Sequence, residues 1–554
     1  MRSLIALALV FALGGMGLAQ TVLYGPSSTR AFQSPYIGPQ TLVRSSVGHL
    51  YIIYRYQVGT QWDLAIARSV DSGANWNMTW QTKFASLGTD FGSYYPCMAI
   101  DSQDNLHCAW NHRVAFSGSR IPQTLRYNRY EAATKSWGTE WTVTPTAKFE
   151  LNNCCLAVDQ NDYVWLSHGA NSYSWHSYLE RSDKPFASDG KFTRYSPYYQ
   201  SSGYSQHNCL CVDALGRIHF TYYGLYSGNY GIFHQWIDPG ASAPKWSAQT
   251  NLSYPPGHNL RADYSSKMAA DLAGNVYVIF PVDSQYPTSH NTRDTDFWLN
   301  KWDGATQTWG TPVLIHRVPY AVWGANKGAS NYANDRIISC ACDETTGELY
   351  FVYRNFSTGD FVVGRWRGIA TEGPTVFARL MNATPPGPPD YFLYPHLRGS
   401  LWPRTNRTAW GLDLTYSLGD KSAPTPAYTE YFEHFPIGSM ASTSAPKIGT
   451  TYPMALSSVA DGGKAYIAAI SVSGVSPFIG IGRRYIPLTP DSVFFVSVAN
   501  VLPTVFVNFQ GVLSASGTGQ ARLAIPNLAP LVGTQVDACF VTFDASGVSA
   551  ISNP

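Results

Sequence analysis

The chain has 554 residues, of which 45% are hydrophobic, 14% aromatic and only 13% charged, with a net charge of +2. So much apolar and aromatic residue excludes a disordered chain, and 38 basic against 36 acidic residues leave no general field for nucleic acid or an anionic membrane surface. The 47 glycines, 35 prolines and 36 tyrosines predict many short strands joined by turns, an all-β protein without long helices.

Residues 1–19 read as a secretory signal peptide. Arg2 supplies the charged start, Leu4 to Leu13 the apolar run, and Gly17-Leu18-Ala19 a small-residue cleavage site before Gln20. No other segment reaches about 18 apolar residues, so no membrane insertion is expected. The mature protein is expected to be secreted or held at the cell surface after cleavage near Ala19.

Residues 20–437 carry an internal repeat: an apolar run, an Asp, a turn, then an alternating run rich in aromatics. Its clear copies run from Cys97 to Asp101 with Leu106 to Trp110, Cys155 to Asp159 with Tyr163 to Leu166, and Cys209 to Asp213 with Gly216 to Phe220. Two more run from Met268 to Asp271 with Gly274 to Val278, and from Cys340 to Asp343 with Gly347 to Phe351. Weaker copies lie at His49 to Tyr56 and Tyr394 to Leu414. A spacing of about 55 to 70 residues gives room for a four-stranded sheet, and radial stacking covers the faces of each sheet. The expected fold is an all-β, seven-bladed β-propeller. Residues 438–554 shift to Ala, Ser, Val and Gly, which predicts a small C-terminal antiparallel β-sandwich serving as an accessory domain.

Nine cysteines in an exported chain permit disulfides. Cys154-Cys155, Cys209-Leu210-Cys211 and Cys340-Ala341-Cys342 read as buried thiols or disulfides, because no CxxC or His-rich spacing accompanies them and no metal is expected. Cys97 and Cys108 flank the hairpin at Asp101-Ser102-Gln103-Asp104 and are the first disulfide candidate.

If each apolar run is an inner strand and the following run its antiparallel neighbour, the Asp turns share one end of the channel. Residues entering the first strand and leaving the second then share the other end. That end collects Arg55, His112, Arg113, His168, His207, Asn208, Tyr223, Asp283, Arg336, Arg354 and His396. Four arginines and four histidines in so charge-poor a chain suit a carboxylated or sulfated ligand, since Arg offers anions a two-pronged fork. His107, Trp165 and His219 alternate inward and read as satisfied core residues.

The run Ser69-Val70-Asp71-Ser72-Gly73-Ala74-Asn75-Trp76 resembles the Asp box of BNR-repeat propellers, with Ser69, Asp71, Gly73 and Trp76 at its defining positions. Asp303 to Trp309 is a degraded copy. In those families the box is structural, so Asp71 is not a catalytic candidate. His207-Asn208, followed by Asp213 to Gly216 and Arg217-Ile218-His219, is similar to the BNR repeat-containing family that includes ulvan lyases. Leu125 to Arg129 fits the third strand of the same repeat. Arg120-Ile121-Pro122 is similar to the Arg-Ile-Pro triplet of the more distant sialidases. The C-terminal region resembles accessory β-domains of exported bacterial proteins.

These resemblances imply a carbohydrate-active propeller acting on an acidic or neutral polysaccharide. In the favoured reading Arg113 or Arg354 neutralises a uronate carboxylate, and His207, His168 or Tyr223 removes the adjacent proton so that the glycosidic oxygen leaves by β-elimination. Arg55, His112, Arg113, Asn208, Arg336, Arg354 and His396 are the expected substrate-binding residues. The alternatives are a non-catalytic glycan-binding or adhesion protein and a sialidase-like hydrolase. No cofactor is indicated; Ca²⁺ is compatible with such propellers, but no ligand cluster identifies a site.

Overall fold

The computed structural model describes residues 21–27, 30–31, 41–58, 61–82, 92–113, 123–143, 151–171, 175–195, 205–226, 229–240, 245–252, 266–283, 295–318, 338–343, 347–355, 361–368, 373–380, 391–398, 411–420, 427–442, 445–475, 479–481, 484–545 and 547–552. The expected signal peptide, the Arg120-Ile121-Pro122 triplet and Arg336 lie outside them.

Small antiparallel sheets follow one another in a curled, propeller-like arrangement. Blade I comprises Leu42–Arg44, Leu50–Val58, Gln61–Ser69 and Asn77–Thr82, with Arg30–Ala31 at its edge. Blade II is built on Gly92–Ile100, Leu106–Arg113 and Gln123–Glu131, and blade III on Leu151–Val158, Val164–Asn171, Trp175–Ser182 and Phe192–Arg194. Blade IV holds Ser205–Val212, Ile218–Tyr226, Asn229–Ile237 and Thr250–Asn251. Blade V holds Lys267–Ala270, Val276–Asp283, Thr295–Asp303, Thr308–Trp309 and Val313–Val318. Blade VI holds Ile338–Cys342, Leu349–Arg354, Phe361–Trp366 and Thr375–Leu380.

Among the described residues the seven-bladed expectation is corrected to six blades of consecutive strands. The remaining sheet is composite: Tyr391–Arg398, Leu412–Asp420 and Ala427–Phe435 take their edge strand, Thr21–Ser27, from the other end of the chain. This closing sheet packs between blade VI and blade I. The weak copy at Tyr394 to Leu414 falls in this sheet, but a repeat count along the chain gives no sign that its edge strand comes from residues 21–27.

Strand alternation builds the core between blades rather than within them. In Leu50–Val58, Leu50, Ile52 and Tyr54 pack with Phe432 of the closing sheet, whereas Tyr51 and Ile53 pack with Met98 and Trp110 of blade II. Successive residues point to opposite faces, so an inner blade needs apolar residues at nearly every position.

The Asp turns recur with one geometry. Oδ1 of Asp101 accepts the amides of Gln103 and Asn105 at 2.8 and 2.9 Å, and Oδ1 of Asp159 those of Asn161 and Tyr163 at 2.9 and 3.0 Å. Asp213 and Asp271 repeat the pattern with Leu215 and Arg217, and with Ala273 and Asn275, all at 2.9 Å. Each second oxygen meets a polar ring atom six residues on: His107 at 3.0 Å, Trp165 at 2.9 Å, His219 at 3.2 Å and Tyr277 at 3.1 Å. The clamp closes the hairpin and ties the second strand to it. Asp159→Ala removes both amide bonds and the bond from Trp165, and is expected to lower unfolding free energy by about 2 kcal/mol in a urea titration. Asp159→Asn, which keeps one acceptor oxygen, is expected to lose less.

The C-terminal sandwich expectation is also corrected. Residues 437–552 contribute one eight-stranded sheet, in the order Phe506–Val507, Thr518–Ala524, Thr451–Ser457, Ile437–Ala441, Gly547–Ser552, Asp537–Asp544, Ala465–Ser471 and Gln510–Val512. Ile437–Ala441 and Gly547–Ser552 run parallel. The two outermost strands are separated along the chain only by Asn508 and Phe509, so the sheet must curl to bring its ends together. The result is a half-barrel around Met454, Leu456, Tyr466, Phe509 and Phe540. Helix Ser492–Val498 packs on Ala465–Ser471, its start capped by Asp491, which accepts the Phe494 amide at 2.7 Å. No helix among the described residues is long and apolar enough to cross a membrane.

Candidate functional site

Away from the Asp turns, the inner strands carry a shared irregularity. One extra residue enters between Tyr94 and Cys97 in blade II, Asn152 and Cys154 in blade III, Gln206 and Cys209 in blade IV, and Leu393 and His396 in the closing sheet. Pro96 and Pro395 lie inside two of these bulges, where a residue without an N–H disturbs no ladder. His207-Asn208 occupies the bulge of blade IV. A bulge re-aims side chains at the end of a strand and is common beside binding sites.

The expected site residues are distributed over successive blade interfaces. Arg55 shares the strand face of Tyr51 and Ile53, and His112 that of Cys108 and Trp110, so both belong to the interface of blades I and II. His168 shares the face of Val164 and Leu166 against blade II, while Ser167 points the other way and donates to Asn208 Oδ1 of blade IV at 3.0 Å. Tyr223 packs with Met268 and Phe280 between blades IV and V. The structure thus places Arg55 and His112 at one interface and joins blade III to Asn208, but leaves Tyr223 in an apolar interface of its own. All five side chains are less than 5% exposed. His207, Arg113, Arg354 and His396 lie on described strands, their side chains outside the described set.

His168 has the most developed surroundings. Its Nε2 lies 3.5 Å from Glu180 Oε1, its ring stacks on Tyr178 with centroids 5.3 Å apart, and Arg194 Nε donates to Glu180 Oε1 at 2.9 Å. Arg194 also lies over the Tyr178 ring at 4.3 Å. Burial lowers the His168 pKa below the ordinary imidazole value, and the nearby Glu180 only partly offsets it. The ring is therefore neutral at neutral pH. Its Nδ1 is buried with no hydrogen-bond partner among the described residues, as is Nδ2 of Asn208. Buried polar atoms are nearly always paired, so each orphan marks a place where another polar group is wanted, His168 Nδ1 on the blade II side of blade III and Asn208 Nδ2 in blade IV.

Glu180, Arg194 and Tyr178 did not enter the sequence reading. The available signal was alternation: Tyr178 and Glu180 fall on one face of Trp175–Ser182 and Leu179 on the other, so a carboxylate occupies a core-facing position in a charge-poor chain.

The Asp-box segment is a closed turn. Ser69 Oγ donates to Asp71 Oδ1 at 2.8 Å and accepts the Gly73 amide at 2.9 Å; Asp71 Oδ1 accepts the Asn75 amide at 2.9 Å. Trp76 Nε1 donates to Gly73 O at 3.0 Å, and its ring meets Phe432 edge-on at 5.3 Å. These bonds leave Asp71 a structural role.

The proposed Cys97–Cys108 disulfide is contradicted by register. Cys97 lies opposite Ala109 and Cys108 opposite Met98, so the two thiols sit on opposite faces of blade II, one packed toward blade III and the other toward blade I. All nine cysteines are thiols in the structure.

No protein-family model matches the chain, and no curated protein matches it by sequence. Among solved structures it is similar to the polysaccharide lyase Uly1, at 10% identity and a TM-score of 0.45 over 75% of this chain and 93% of that one. A protein of unknown function from Dyadobacter fermentans is similar at 12% identity and a TM-score of 0.41, over 75% of this chain and 98% of that one. An α-L-arabinanase from Penicillium chrysogenum, complexed with arabinobiose, is similar at 9% identity and a TM-score of 0.41, with 75% and 98% covered. The chain has a curled, propeller-like arrangement of small β-sheets with weak likeness to carbohydrate-active enzymes of differing chemistry, and likenesses of this strength assign no reaction.

Proposed function

We propose that the protein is exported and binds an acidic polysaccharide at the bulge end of blades III and IV, cleaving it by β-elimination. The observation that carries this reading is the pair of unpartnered buried atoms, His168 Nδ1 and Asn208 Nδ2, on neighbouring blades. Glu180 beside Nε2 favours the tautomer with its proton there, which leaves the Nδ1 lone pair as a base. In the proposed reaction Arg113 or Arg354 neutralises the uronate carboxylate, His168 or His207 takes the proton on the adjacent carbon, and the glycosidic oxygen departs.

The test is absorbance at about 235 nm, where the unsaturated ends made by eliminative cleavage absorb, during incubation with a panel of acidic polysaccharides. The signal is expected to rise with time and to fall at least about 100-fold in His168→Gln and in His207→Ala, the typical scale of general-base catalysis. Because burial keeps His168 neutral, activity should persist below about pH 6.5, where an ordinary imidazole is protonated. A second reading, glycan binding without cleavage, is favoured by the near-complete burial of Arg55, His112, His168 and Asn208. A flat absorbance trace together with retention of one glycan in affinity electrophoresis would select it.

A further inference from the structure

The geometry points to a disulfide staple between successive blades, Cys97 with Cys154. Cys97 Sγ lies 3.2 Å from Cys154 Sγ across the interface of blades II and III, and both thiols are fully buried. Cys154 and Cys155 are adjacent in one strand, so alternation sends the first to blade II and the second to blade IV. Cys155 Sγ lies 3.3 Å from Asn208 O in blade IV, whereas Cys209 packs on the opposite face of its strand, with Met268 of blade V. The closed loop spans 57 residues between Cys97 and Cys154, long enough for a crosslink to restrict the unfolded chain strongly.

The proposal rests on the export part of the reading above, because such bonds persist in oxidising compartments. The oxidant is a disulfide-bearing thiol oxidoreductase. One protein thiolate attacks its disulfide to form a mixed disulfide, and the paired thiolate then attacks that bond. The staple so formed transfers two electrons and two protons, and the oxidant leaves as a dithiol. Burial pushes the Cys97 thiol well above its ordinary pKa. The exchange therefore belongs to folding, before blades II and III close over the sulfurs.

The test is a peptide map. Full-length protein exported with its own leader is denatured in excess alkylating agent without reductant, then cleaved after Lys and Arg and before Asp. These cuts separate residues 90–100, holding Cys97, from 104–113, holding Cys108, and release 149–158 and 195–212. The expected product is 90–100 and 149–158 joined in one species two hydrogens lighter than its parts, dispersed by reductant, with Cys108, Cys155, Cys209 and Cys211 alkylated. Cys155→Ser should retain the link from 90–100 to 149–158, and Cys97→Ser should lose it. A parallel sample refolded in glutathione redox buffer separates the two ideas. Alkylated Cys97 and Cys154 in both samples overturn the pairing; a link in the refolded sample alone upholds the pairing and overturns export to an oxidising compartment.

Discussion

Replacing Asp413 by Ala is expected to destabilise the protein by about 3–5 kcal/mol, the cost of leaving one charge of a buried pair alone. Asp413 lies in the closing sheet, on Leu412–Asp420, and Arg44 in blade I, 369 residues away. Arg44 Nε donates to Asp413 Oδ2 at 2.8 Å, and Arg44 Nη2 pairs with Oδ1 in a two-pronged contact. His434 Nδ1 lies 2.8 Å from the same Oδ1. Both partners of the ion pair are about 1% exposed, so water cannot replace a lost partner. The pair spans the seam where the two ends of the propeller-like region meet. Asp413→Leu combined with Arg44→Met removes both charges and is expected to lie well above either single variant in urea midpoint.

The same pair sets an acid limit. Burial alone would raise the Asp413 carboxyl, but the Arg44 guanidinium and the His434 hydrogen bond outweigh it and hold the pKa well below the carboxylate range. A depressed folded pKa gives stability that is complete above the unfolded value, about 3.9, and lost as pH falls through the folded value. The stability gap between the native protein and Asp413→Ala should therefore be constant near neutrality and narrow only below about pH 4. A gap that narrowed between pH 7 and pH 5 would refute this assignment.

Gly73→Ala is the second large effect. Gly73 has φ +93°, a conformation that L side chains rarely adopt, and an added Cβ would fall within the ring edge of Phe432 in the closing sheet. Backbone strain and overpacking together are expected to cost about 2–4 kcal/mol. Gly347→Ala isolates the first part: its φ is +70°, yet nothing lies within 4 Å of the added carbon. That variant should lose only about 1–2 kcal/mol. Equal losses in the two variants would show that the Phe432 contact yields freely.

Asp101, Asp159, Asp213 and Asp271 were recognisable from the chain alone because each ends an apolar run before a turn and an alternating run; the structure adds that each clamps amides two and four residues ahead and the aromatic residue six ahead. His107, Trp165 and His219 were readable as core residues from their inward alternation. The candidate site was less legible. His168 and Asn208 could be placed at the bulge end, but Glu180, Arg194 and Tyr178 arrive from the third and fourth strands of blade III, whose register the chain does not announce. The Cys97–Cys108 expectation failed on one extra residue: the turn takes Asn105 as well as Asp101 to Asp104, so Ile100 pairs with Leu106, Cys97 falls opposite Ala109 and Cys108 faces the other way.

The sequence by itself determined what neighbours along the chain decide: all-β composition, the Asp turns, the alternation of each inner strand and the position of the repeats. Only the tertiary structure decided that Thr21–Ser27 joins Ala427–Phe435, that Arg44 meets Asp413, that Cys97 faces Cys154, and that the C-terminal strands curl into a half-barrel. A turn is closed by hydrogen bonds a few residues apart and leaves a local pattern of residue types. A seam between blades is closed by contacts across tens or hundreds of residues, and those depend on sheet order and register, which a strand's own alternation does not specify.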